Sequence, residues 1–125
     1  MADILVVDDE KLLRVYIFEI LQQRGHSVRQ CENGADAIDS VNTKKPDMII
    51  TDIFMPRKNG LEVIMEIRGK YPEIKIIAMS GDTISREGGH LECLGLAREL
   101  ASCVILEKPF SKEQLTDAVD KLLGS

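Results

Sequence analysis

Met48-Ile49-Ile50-Thr51-Asp52-Ile53-Phe54-Met55-Pro56 is an apolar run that stops on one carboxylate and then turns. Bounded by Pro46-Asp47 before it and Pro56 after it, the run reads as a buried strand rather than a helix, with its last side chains at the rim of a sheet. A carboxylate at that rim can cap a helix, ligate a metal or attack as a nucleophile. Nothing local to Asp52 decides among these, so the other strand ends have to.

Working toward the N-terminus, Asn33 reads as the N-cap of a helix carrying Ala37, Ile38 and Val41, which ends before Lys44-Lys45-Pro46. Ser27-Val28-Arg29-Gln30-Cys31 alternates polar and apolar residues, as a half-exposed edge strand does. Ile4-Leu5-Val6-Val7 is a second short apolar run, and it closes on Asp8-Asp9-Glu10. Leu13, Tyr16, Ile17, Ile20 and Leu21 then recur at helical spacing, with Gly25 placed to end that helix in a left-handed conformation.

Working toward the C-terminus, Asn59-Gly60 opens a helix with Leu61, Ile64, Met65 and Arg68 along one side, stopped by Tyr71-Pro72. Ile74-Lys75-Ile76-Ile77-Ala78-Met79 is a strand ending on Ser80-Gly81-Asp82. Thr83 to Gly89 is polar with two adjacent glycines and reads as a long mobile connection, before a helix bearing Leu91, Leu94, Ala97 and Leu100. Cys103-Val104-Ile105-Leu106 is a fifth strand closing on Glu107-Lys108-Pro109. Ser111-Lys112-Glu113-Gln114 fits a capping box, and the helix it opens carries the stripe Leu115, Ala118, Val119, Leu122 and Leu123.

Five strands alternating with five helices predict an α/β fold, a doubly wound five-stranded parallel sheet covered on both faces. The carboxyl ends of such strands form one rim, where ligands bind. That rim collects Asp8, Asp9, Asp52, Ser80 and Lys108 from the ends of four strands.

Composition narrows the partners. At 125 residues the chain is expected to be one domain, 1–125, with its own core and no output domain. Hydrophobic content of 44% and charged content of 30% suit a soluble globular protein. A net charge of -5 weighs against direct nucleic-acid binding, and no apolar run reaches spanning length, so no membrane insertion is expected. No leader-like segment is visible at Met1-Ala2-Asp3, which makes a cytoplasmic location the expectation. Cys31, Cys93 and Cys103 lack C-x-x-C spacing and read as reduced, packed thiols; His26 and His90 read as solvated or locally bonded.

Three carboxylates on one rim repel one another unless a cation sits between them. Magnesium, with manganese as the substitute, suits oxygen donors, and the absence of a His or Cys cluster argues against zinc. Beside a metal, an aspartate can attack a phosphoryl group. Lys108 supplies an ammonium for one phosphoryl oxygen, Ser80 a hydroxyl for another, and Gly81 leaves room for entry.

With these residues in hand the chain resembles, over essentially its full length, the receiver domain of two-component response regulators, in particular the single-domain, chemotaxis-regulator-like members. The pieces that carry the resemblance are Val6-Val7-Asp8-Asp9-Glu10, Asp52-Ile53-Phe54-Met55-Pro56 with Gly60, Met79-Ser80-Gly81 and Lys108-Pro109-Phe110. The resemblance implies a flavodoxin-like (βα)5 fold with strand order 2-1-3-4-5 and a phosphoacceptor, Asp52, served by a sensor histidine kinase or a phosphotransfer protein. It implies that Asp9, Asp52 and the backbone carbonyl of Phe54 hold magnesium, with Asp8 helping through water or by pairing with Lys108. It also implies a cis peptide before Pro109, a Ser80 switch, an unknown downstream protein target, and a monomer or weak dimer.

Two departures stand out. The family often has Tyr or Phe three residues before the lysine, where this chain has Ile105, and the connection from Ser80 to Lys108 is several residues longer than usual. They motivate an alternative, a phosphorylation-independent interaction module. A magnesium-dependent phosphatase with an aspartyl nucleophile is a third reading, but such enzymes carry a second acid where this chain has Phe54.

Overall fold

The structure, a computed structural model, describes residues 1–53, 60–81 and 103–124. In chain order the described elements are β1 (Asp3–Val7), α1 (Lys11–Gln23), β2 (Ser27–Cys31), α2 (Gly34–Thr43), β3 (Met48–Asp52), α3 (Gly60–Lys70), β4 (Lys75–Ser80), β5 (Cys103–Glu107) and α4 (Lys112–Leu123). The strands pair in parallel in the order β2-β1-β3-β4-β5, the flavodoxin-like order that the resemblance implies. The helix expected around Leu91 to Leu100 and the connection Thr83 to Gly89 lie outside the described residues.

Continuous apolar strands are what a sheet buried on both faces requires, because alternate side chains point to opposite sides. Ile4 and Val6, Met48 and Ile50, and Ile77 and Met79 fill one face with Ile17 and Leu21 of α1 and Leu115 and Val119 of α4. Leu5, Val7 and Ile49 fill the other with Ala37 and Val41 of α2 and Val63 and Ile67 of α3. Helix ends follow local chemistry. Asn33 accepts the Asp36 amide at 2.9 Å, Ser111 and Gln114 form the reciprocal box at 3.0 and 2.8 Å, and Gly25 takes φ 91° beyond α1.

Two helix faces differ from the periodicity reading. In α3 the buried side is Val63, Ile64 and Ile67, while Met65 is 51% exposed and Arg68 is half-buried. Both stripes contain Ile64; the one that continues into Tyr71 and Ile74 joins the core and sets the rotation of the helix. In α1 the stripe runs through Ile17, Ile20 and Leu21 with Leu13 at its margin, and Tyr16 lies exposed.

Candidate functional site at the carboxyl rim

Strand register brings the site together. Val7 is level with Thr51, so Asp8 and Asp52, each one residue further on, emerge side by side from β1 and β3. Ser80 is level with Glu107, which delivers Lys108 to the same rim. The Lys108 amide donates to the Ser80 carbonyl at 2.6 Å, extending the β4–β5 ladder by one bond. From there the Lys108 side chain reaches back over the sheet, and its Nζ donates to Asp8 Oδ2 at 2.9 Å and to Asp52 Oδ2 at 3.0 Å.

Burial makes that bridge consequential. Asp8 is fully buried and Asp52 nearly so, and a buried carboxylate is tolerated only when paired and hydrogen-bonded. Burial of Lys108 pulls its pKa down. The hydrogen bond to Asp8 and the charges of Asp52 and Asp8 outweigh that effect and hold it above the ordinary lysine value. Asp8 is further fixed by the Glu10 amide, which donates to its Oδ1 at 2.8 Å, and by its own amide, which donates to the Cys31 carbonyl at 3.1 Å. Thr51, buried, donates its hydroxyl to the Asp52 carbonyl at 3.0 Å.

Asp9 completes a cluster. It is exposed, and one carboxylate oxygen each from Asp8, Asp9 and Asp52 lie within 4.8 Å of one another. Three carboxylates offset by one ammonium leave two formal negative charges. Among the described residues the donors are hard oxygens, with no His or Cys joining them. A magnesium-type divalent cation fits this donor set by charge and by ligand type.

Ser80 is buried at the end of β4, and Ile105 is half-buried on β5, level with Ala78. The Lys108-Pro109 peptide is cis. Phe54 lies outside the described residues. Periodicity singled out neither Thr51 nor Arg14, whose Nη1 donates to the Asp8 carbonyl at 2.7 Å. Beside the rim, Glu10, Leu13, Lys108, Pro109 and Phe110 line a largely apolar depression of about 340 Å³.

A doubly wound parallel sheet of order β2-β1-β3-β4-β5, with three acids and a bridging lysine at its carboxyl rim, defines the class as a flavodoxin-like α/β domain with an acidic rim site. Within it, the chain belongs to the response regulator receiver domain family, whose model matches residues 4–120. It is 29% identical to sporulation initiation phosphotransferase F of Bacillus subtilis over 96% of this chain and 92% of that protein. It is 34% identical to the DNA-binding transcriptional regulator NtrC of Azospirillum brasilense over 99% of this chain, but it spans only 24% of that protein. It likewise spans 50% of the response regulator MprA of Mycobacterium tuberculosis, at 31% identity. Among solved structures, the receiver domain of NtrX from Brucella abortus superposes with TM-score 0.86 at 30% identity, covering 98% of this chain and 99% of that one. Chemotaxis protein CheY4 of Vibrio cholerae gives 0.84 at 25% identity, covering 98% of each chain.

Proposed function

We propose that this receiver domain takes a phosphoryl group on Asp52 from the phosphohistidine of a sensor kinase or phosphotransfer protein, and thereby switches a protein-binding surface. The observation that carries the reading is the Lys108 bridge to Asp8 and Asp52, which holds an ammonium where phosphoryl oxygens would arrive. A carboxylate oxygen of Asp52 attacks phosphorus, the P–N bond to the donor imidazole breaks, and the departing ring nitrogen takes up a proton. Lys108 then pairs with the incoming phosphoryl oxygens, and the Ser80 hydroxyl donates to another of them.

Magnesium would be held by Asp9, Asp52 and the Phe54 carbonyl, with Asp8 assisting, and would supply positive charge against the repulsion between attacking and transferred oxygens. The domain acts on no separate substrate; it promotes only its own phosphorylation and dephosphorylation. Output passes to another protein rather than to nucleic acid, in keeping with the net charge of -5. Ile105 offers no ring or hydroxyl, which leaves Ser80 as the residue through which the phosphoryl group would act on the fold.

The phosphodonor protein has apolar surface to rest on beside the acceptor. Leu13, Pro109 and Phe110 line the depression, and Leu12, 82% exposed, directly precedes Leu13 on α1. The reading is tested by incubating the chain with magnesium and a small acyl or amido phosphate. Mass spectrometry should show one phosphoryl group gained, and none in Asp52→Ala. No gain, or a gain that survives the substitution, overturns it.

A further inference from the structure

Among the described residues, Arg14 is the side chain with a buried polar atom left without a partner. Its Nε has no acceptor, while its Nη1 donates to the Asp8 carbonyl at 2.7 Å. A buried donor without an acceptor is unfavourable, so the placement of Arg14 calls for a compensating role at its other end. That end grips the peptide joining Asp8 to Asp9.

The Asp8 carbonyl and the Asp9 amide lie in one rigid plane. Asp8 is held at its amide by Cys31, at Oδ1 by Glu10 and at Oδ2 by Lys108, so Arg14 supplies the fourth restraint on this residue. Asp9 is different: it is exposed, and among the described residues its carboxylate has no hydrogen bond. The direction of its Cα–Cβ bond is therefore set by the backbone, and on the Asp8 side the backbone is set by Arg14.

We propose that Arg14 is a positioning residue for the acidic rim: by gripping the Asp8 carbonyl it aims the Asp9 carboxylate at the space shared with Asp8 and Asp52, where a divalent cation is held. This rests on the reading of that rim as a magnesium site. Groups that orient metal ligands from outside the coordination sphere typically change affinity by about tenfold or more when removed.

The test is a magnesium titration followed by amide NMR on the full 125-residue chain, with Arg14→Met and Arg14→Lys beside the parent. Met keeps the packing stem and loses the donor, so magnesium affinity should fall about tenfold. Lys keeps one donor and should lose less. At saturating magnesium, phosphorylation from a small donor should return toward the parental rate in both variants. A merely structural role lowers the melting temperature and leaves the magnesium affinity of the folded protein unchanged, and that result overturns the proposal. If Arg14→Met does not fold, Arg14→Lys decides by the same criterion. A parent chain that binds no magnesium overturns the reading of the rim together with this inference, whereas a parent that binds and variants that bind equally overturn this inference alone.

Discussion

Lys108 Nζ stands 3.0 Å from Asp52 Oδ2, joining residues 56 positions apart in the chain. The same ammonium holds Asp8, 100 positions away, at 2.9 Å, so one side chain ties the ends of β1, β3 and β5. Removing it leaves Asp8 buried and uncompensated. Lys108→Met should therefore destabilise the domain by about 3 kcal/mol, the low end for a broken buried pair because the Lys108 side chain keeps 22% exposure. Adding Asp8→Asn to Lys108→Met should cost clearly less than the two single changes summed, because the orphaned charge is gone. Urea midpoints of the four proteins check this; strict additivity contradicts it.

The rotation of α3 predicts a sharp contrast between neighbours. Ile67→Ala, in the core against Val63 and Ile74, should cost about 2–4 kcal/mol. Met65→Ala, half exposed on the same helix, should stay within about 0.5 kcal/mol, helix propensity included. Equal losses in chemical denaturation would contradict the assigned face.

How far the sequence speaks is clear from such cases. Strand identity, the caps at Asn33 and Ser111 and the rim position of Asp8, Asp52, Ser80 and Lys108 follow from apolar runs that stop on polar groups, a strong and local signal. The face of α3 does not, because two overlapping stripes share Ile64 and only packing against Tyr71 and Ile74 chooses between them. Arg14 was equally silent: an arginine one turn into an amphipathic helix looks like a solvated charge until its bond to the Asp8 carbonyl is seen. Strand order was legible only through family resemblance, since periodicity carries no information about which strands are neighbours.

Donor recognition should separate from chemistry. Leu12→Glu places a charge on an 82% exposed apolar side chain of α1, outside the Lys108 bridge to Asp8 and Asp52. Transfer from a phosphohistidine protein should slow about tenfold, near 1.4 kcal/mol, while phosphorylation by a small donor keeps its rate. Equal slowing of both reactions would place Leu12 in the acceptor machinery instead.

His26 gives the fold a pH dependence of known sign. Burial, then the N-terminal ammonium and Arg24, hold its pKa below 6.5, with Asp120 opposing. Its Nδ1 accepts the Ala2 amide at 3.1 Å, which requires the unprotonated nitrogen. The unfolded chain thus binds the proton more readily. The His26 contribution is present above its unfolded value of 6.5 and is lost as pH falls below 6.5 toward the lower folded value. His26→Gln, which can still accept the amide, should flatten the fall in urea midpoint across that window, and an unchanged slope would remove His26 as its source.

Borohydride trapping tests the proposed phosphoacceptor role of Asp52 at the residue itself. An aspartyl phosphate is reduced to homoserine, which peptide mass spectrometry locates. After treatment with magnesium and a small phosphodonor, homoserine should appear at position 52 and at no other aspartate, Asp8 and Asp9 included. Homoserine elsewhere in the rim, or none after phosphoryl uptake, would contradict it.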